Sequence, residues 1–242
     1  MLLRLPTSVS EAQECMAEGA VPIGGATLIW ATWQRDGFPE QAMSLRELPE
    51  ANTIGRETLG GAVILNRIDD RVPEALRRAA ATVGTGAVRR TATVGGNIVG
   101  STLRCLLPAA LVLEARAVVL DPDSVYETDL TEVLAKGHLL LGLRWRDPIT
   151  SAYRKLPGEA GGPPPLVVAA ALHTAGTGGT RLRVAVRDGY DVLTEGTEYD
   201  AGSDSEQVLD DLRRTAVGAL HATAWEAVHE LVTDLLSRPT GR

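Results

Sequence analysis

Runs of polar and apolar positions divide this chain into short strands and short helices. Residues 8–19 carry Ser8 and Ser10 at the head, acidic residues in the first turn and Gly19 at the close, the pattern of a capped helix. Ala20–Ile23 reads as a strand entering the bend Gly24-Gly25, with a second helix beginning at Ala26-Thr27-Leu28. Leu3, Leu5 and residues 41–45 add short strands, which makes a small βαβ-like unit. Strand signals follow around residues 58–64. Pro73 to Val83 reads as a helix, with proline at its start and Leu76, Ala79, Ala80 and Val83 at helical spacing. Residues 84–97 are too rich in Gly and Thr for a regular helix and are expected to form two short strands around a tight turn.

Further on, Leu106–Leu113 is an apolar helical stretch that holds Pro108 early, where proline is tolerated. Residues 117–121, 139–145 and 151–156 read as strands. Residues 157–165 hold four prolines and three glycines and are expected to be a loop and a domain boundary. Residues 167–173 and 181–187 pair as a hairpin, the second strand setting Leu182, Val184 and Val186 on one face. Residues 206–237 are helical with a break near Gly218. No internal repeat or heptad run is present.

Composition narrows the choices. At 242 residues, 44% hydrophobic and 23% charged, the chain is an ordinary globular mix that can bury a sizeable core in one large domain or two smaller ones. A net charge of -7 argues against a protein that tracks nucleic-acid phosphates. No apolar run approaches the ~20 residues that span a bilayer, and the N-terminus lacks a charged head before an apolar stretch. The cytoplasm is therefore the expected compartment, with no nucleic-acid or membrane partner. Cys15 and Cys105 cannot supply a four-thiolate iron–sulfur cluster or an all-cysteine zinc site, and are expected as free structural thiols. His221 and His229 stand eight apart, a spacing unlike a helical metal pair, so no metal site is expected.

Two bends carry the candidate chemistry: Pro22-Ile23-Gly24-Gly25-Ala26-Thr27-Leu28 and Ala92-Thr93-Val94-Gly95-Gly96-Asn97. Paired glycines let successive backbone N–H groups converge on one point, a concavity that binds an anion without a basic side chain. Two such bends face to face would hold both phosphates of a dinucleotide, with the Thr27 and Thr93 hydroxyls adding hydrogen bonds. Plain turns also use Gly-Gly, and neither bend is a Rossmann fingerprint or a Walker loop. Trp30 and Trp33 follow the first bend, placed either to flank an adenine or to pack between subdomains.

The order of these motifs resembles the FAD-binding medium subunit of molybdenum hydroxylases, the xanthine dehydrogenase and carbon monoxide dehydrogenase family. The first bend matches the family's P-x-A/I-G-G-T-x-L turn. Val88-Arg89-Arg90-Thr91-Ala92-Thr93-Val94-Gly95-Gly96-Asn97 matches I-R-N-x-A-T-x-G-G-N, and Leu106–Ala115 matches the L-L-P-A-L-L-A-L-x-A that follows. Ser151-Ala152-Tyr153-Arg154-Lys155 is similar to S-x-Y-x-K. The likeness runs over roughly residues 2–172. It implies an α+β chain with a two-part FAD-binding fold: a small N-terminal βαβ piece over 1–50 and a mixed-sheet α/β piece over 51–157, followed by a shortened C-terminal α+β domain over 166–242. It also implies FAD as cofactor, cradled by Ile23, Gly24, Gly25, Ala26 and Thr27 and by Thr93, Val94, Gly95, Gly96 and Asn97. Thr102 lies in the segment that meets the cofactor, and Tyr153 and Lys155 lie near the flavin ring or its approach. Iron–sulfur and molybdopterin subunits are the implied partners, or a small-molecule substrate if the chain works alone; an oligomer is compatible with everything above.

The chain departs from the family pattern. The hydroxyl of the first turn is shifted by one position, to Thr27, and Arg90 replaces the Asn of I-R-N. Ser101-Thr102-Leu103-Arg104-Cys105 stands for S-P-x-x-D without its carboxylate, and His138 replaces a Glu. Gly158–Pro165 stands where the family has R-x-x-x-D-x-A. An FAD-binding oxidoreductase subunit is thus the first reading. A flavin-free protein on the same scaffold, reused as a cyclase, isomerase or binding protein of small-molecule biosynthesis, is the second, and a non-catalytic structural subunit the third.

Overall fold

The computed structural model describes residues 1–158, 161–176, 178–200 and 202–238. In chain order the elements are β1 (Leu2–Arg4), α1 (Val9–Ala17), β2 (Val21–Pro22), α2 (Ile29–Asp36), β3 (Gln41–Met43), β4 (Ile54–Gly55), β5 (Thr58–Gly60), α3 (Glu74–Ala81), α4 (Gly86–Arg89), a π-helical stretch Gly96–Gly100, α5 (Leu107–Val112), β6 (Arg116–Leu120), β7 (Val125–Asp129), α6 (Leu130–Lys136), β8 (Leu139–Arg144), β9 (Thr150–Lys155), β10 (Val167–Thr174), β11 (Thr180–Asp188), β12 (Asp191–Tyr199), α7 (Ser205–Arg213) and α8 (Ala222–Ser237). This is the α+β fold expected from the sequence. Glu159 and Ala160 of the proline-rich segment, and Thr177 of the hairpin connection, lie outside the described residues.

Two units form. The first comprises residues 1–72, 83–104 and 115–145, the second residues 73–82, 105–114 and 146–242. In the first unit β1, β3 and β2 make a parallel three-stranded sheet in the order β1-β3-β2, and β4-β5-β8-β6-β7 make an antiparallel five-stranded one. One apolar cluster binds the two sheets together. Ala12 and Cys15 of α1 pack with Met43, Leu45 and Leu48 and with Leu120 and Leu141 of the larger sheet.

Helix α1 shows how locally its start is written. Ser8 Oγ accepts the Glu11 N–H at 3.2 Å, and the Glu11 carboxylate accepts the Thr7 N–H at 2.7 Å and the Thr7 hydroxyl at 3.0 Å. These bonds from Thr7 hold the Glu11 carboxyl below its ordinary range. Gly19, at φ +83, closes the helix as the glycine signal requires. Ser8→Ala leaves the Glu11 amide without its cap, and is expected to lower stability by about 1 kcal/mol in urea unfolding. A change below a few tenths would show that water replaces the cap.

In the second unit β12-β11-β10-β9 form an antiparallel sheet. One face sets Val168, Ala170, Leu172, Leu182, Val184 and Val186 against Val208 and Leu212 of α7 and Val228, Leu231 and Leu235 of α8. The other face is buried as well, at Val167, Ala169, Ala171 and Ala185, where α3 and α5 pack against it. Burial on both faces explains why residues 166–172 read as one apolar run instead of alternating. The strands on either side of the proline-rich loop, β9 and β10, pair directly, Val168 opposite Arg154. The break near Gly218 is real: α7 and α8 are separate helices, and a Cβ at Gly218 would overlap the Arg213 carbonyl.

Candidate functional site

Both glycine bends lie in the first unit, and they abut. A Cβ at Gly24 would stand 2.5 Å from Thr93 Oγ1. One at Gly25 would overlap the Thr91 carbonyl and come within 2.8 Å of the Ala92 nitrogen. Only glycine permits this backbone-on-backbone approach.

The first bend leaves its amides bare. Ile23 N–H donates to Met43 O at 2.8 Å and so extends the β2–β3 pairing. After it, the N–H groups of Gly24, Gly25, Ala26 and Thr27 find no acceptor among the described residues. Ala26 sits at φ +56, a left-handed conformation that turns a run of N–H groups toward a common point. Trp30 N–H, donating to Ala26 O at 3.3 Å, then starts α2.

The second bend corrects two expectations. Residues 84–97 are not two strands around a turn. Thr85 caps the short helix α4, its hydroxyl accepting the Val88 N–H, and Thr93 begins a second helical turn that runs into Gly96–Gly100. Threonine at a helix start satisfies an amide that glycine-rich sequence would otherwise leave open, and this outweighs the low helix propensity of glycine. Nor are the amides of this bend bare. Val94 donates to Val63 O at 3.0 Å, Gly95 to Gly61 O at 2.8 Å, Gly96 to Thr93 Oγ1 at 3.2 Å and Asn97 to Thr93 O at 2.9 Å. The second bend is a wall braced on residues 61–63, buried at Thr93 and Asn97 and exposed at Gly96. Gly61, whose carbonyl fixes Gly95, has no signal in the sequence beyond the doublet Gly60-Gly61.

Past the wall, Ser101 Oγ accepts the Leu103 N–H at 3.2 Å, Thr102 is exposed, and Arg104 adopts φ +39. Trp33 is buried against the Phe38 ring, and Trp30 is 46% exposed with its ring 5.2 Å from Phe38. His138 opens β8, with Tyr126 Oη 3.3 Å from its Nε2 and Asp121 Oδ1 3.7 Å from its Nδ1.

Tyr153 and Lys155 belong to the second unit, on β9. Both reach the C-terminal end of α3: Tyr153 Oη lies 3.3 Å from Thr82 Oγ1, and Lys155 Nζ donates to Thr82 O at 3.0 Å. A cation on the last carbonyls of a helix also suits the helix dipole. Cys15 and Cys105 are free and buried. Among the described residues no group of three or more His, Cys, Asp or Glu is placed to hold a metal, and no helix is long and apolar enough to cross a membrane.

Residues 3–140 match the profile of the family described as the FAD binding domain in molybdopterin dehydrogenase. No curated protein matches the chain in sequence. Among solved structures, the chain is similar to a Cu,Mo-CO dehydrogenase in its cyanide-inactivated form, at 18% identity and a TM-score of 0.73 over 99% of this chain and 97% of that one. It is also similar to the reconstituted CO dehydrogenase from Oligotropha carboxidovorans, at 18% identity and 0.73, over 96% of each chain. Quinoline 2-oxidoreductase from Pseudomonas putida 86 matches at 16% identity and 0.68, over 99% of this chain and 96% of that one. At such identities these likenesses show the fold.

Proposed function

The chain belongs to the family of FAD-binding domains in molybdopterin dehydrogenase, with FAD as its cofactor, and from this premise we propose that it is the flavin subunit of a molybdenum hydroxylase. The observation that carries the proposal is the run of four unspent amides at Gly24–Thr27, curled by the left-handed Ala26 and walled by Thr93. Such a run fits a pyrophosphate, whose oxygens accept what the chain leaves unaccepted.

In this reading the amides of Gly24, Gly25, Ala26 and Thr27 bind the pyrophosphate. Ile23 anchors the bend to β3, and Thr93, Val94, Gly95, Gly96 and Asn97 form the rigid wall beside it. Thr102 follows that wall in sequence, and the family resemblance assigns Tyr153 and Lys155 to the flavin ring or its approach. The pieces 1–50 and 51–157 hold the cofactor and 166–242 is the shortened third. Bound FAD supplies the redox chemistry that the side chains themselves lack. The two isolated cysteines of these 242 residues cannot ligate a cluster, so in this reading iron–sulfur and molybdopterin partners deliver the electrons, in the cytoplasm.

Freshly purified protein is expected to carry flavin absorbance, or to gain it together with thermal stability when FAD is added. Colourless protein that FAD neither colours nor stabilises would leave the scaffold flavin-free. Ala26→Pro, which removes one N–H and forbids the left-handed φ, is expected to weaken FAD about tenfold while the fold persists. Unchanged affinity in that variant would place the pyrophosphate elsewhere.

A further inference from the structure

Arg104 is the one arginine among the described residues that is neither exposed nor given a hydrogen-bond, ion-pair or ring partner. Its Nε is sequestered from solvent with nothing to donate to. Its backbone holds φ +39, a conformation that L side chains rarely adopt. A sequestered N–H with no acceptor carries a cost that an acceptor reached through the same guanidinium would remove. An unspent buried donor and left-handed backbone coincide at this one residue, and such strain clusters where ligands bind.

The bends show what is missing. Neither residues 22–28 nor residues 91–97 include a Lys or Arg, so the cradle offers neutral N–H groups alone. A pyrophosphate brings two negative charges, to a chain whose net charge is already -7. Arg104 lies in the same unit, and the chain reaches it from the second bend through Gly96–Gly100 and residues 101–103.

We infer that Arg104 is an oxyanion-binding residue whose guanidinium fork is completed by phosphate oxygens, those of the FAD pyrophosphate. The inference rests on the flavin reading and adds to it the cation that the backbone cradle lacks. Charge-assisted bonds from a guanidinium to a phosphate are stronger and more directional than neutral ones, so the effect of losing them is readable.

The test titrates FAD, ADP, pyrophosphate, inorganic phosphate and riboflavin into the wild type, Arg104→Gln, Arg104→Gly and Arg90→Gln, reading binding heats and melting temperatures. Arg104→Gln is expected to weaken FAD, ADP and pyrophosphate by about tenfold to 100-fold and to leave riboflavin unchanged. Arg90 is exposed, so Arg90→Gln, with the same change of charge, should shift none of them by more than about twofold. Arg104→Gly should lose the same affinity yet melt, without ligand, at or above the wild-type temperature, because glycine relieves the left-handed φ. A purely structural arginine would do the opposite: Arg104→Gly would melt lower with anion affinities intact, and that result overturns the inference. Equal losses in Arg90→Gln and Arg104→Gln would reduce it to diffuse charge and overturn it as well. Inorganic phosphate bound as tightly as FAD would assign the site to a separate anion and not to the cofactor. Wild type that binds pyrophosphate through Arg104 but takes up no FAD keeps the oxyanion site and sinks the flavin reading instead.

Discussion

Replacing Gly25 with alanine is expected to cost about 3 kcal/mol of stability and to abolish FAD binding in what remains folded. The added methyl would occupy the space of the Thr91 carbonyl and press on the Ala92 nitrogen. That strand of backbone cannot step aside cheaply. Ala92 O accepts the Leu65 N–H at 2.9 Å, and Ala92 N–H donates to Val88 O at 2.8 Å. Displacing it therefore breaks the bond to α4 or the bond to residue 65, and the two bends part. Gly24→Ala is milder, since the obstacle there is the Thr93 hydroxyl, which can rotate at the expense of the bond it accepts from Gly96. Gly100→Ala is the matched control: its Cβ would meet nothing within 4 Å, and a helical position gains from alanine. Urea unfolding of the three variants, each with and without FAD, should rank them Gly25, Gly24, Gly100. A Gly25→Ala protein as stable as wild type and equally able to take up FAD would mean that the bends do not depend on this contact.

Much of the fold is legible because burial on one side imposes a period. Helix α3 is read from Leu76, Ala79 and Ala80, all buried, and the break at Gly218 from a residue that alone fits under the Arg213 carbonyl. What escapes the sequence is held in place by neighbours. β7 (Val-Tyr-Glu-Thr-Asp) buries only Thr128, and β12 buries no residue fully; both are edge strands whose pairing is dictated by β6 and β11. The helical turn of the second bend is hidden in the sequence for a related reason. It is decided by Thr85 and Thr93 as caps and by acceptors at Gly61 and Val63, residues more than twenty positions upstream. The candidate site is half legible in the same sense. Residue types show where glycine frees the backbone, but only the folded chain shows which N–H groups other carbonyls have already taken.

Alkaline pH gives a comparably large effect in the second unit. Burial pushes the Tyr153 hydroxyl from 10.0 up to about 12, against the opposing pull of its hydrogen bond with the Thr82 hydroxyl and, less, of the Arg187 guanidinium. The unfolded chain ionises this phenol near its ordinary value and the folded chain resists doing so. Stability from this group is therefore fully present below about pH 10 and drains away as pH rises through about 12. A shift of that size corresponds to about 2–3 kcal/mol. Tyr153→Phe removes the titration at little other cost, because the Thr82 hydroxyl still donates to Ala79 O at 2.9 Å and so keeps its partner. Comparing urea unfolding of wild type and Tyr153→Phe across that pH range cancels the background from lysine and the remaining tyrosines. The variant should start slightly less stable or equal at the lower end and be the more stable of the two at the upper end. Parallel curves would mean that water reaches the phenol, and that β9 and α3 are less tightly closed around it than its 4% exposure implies.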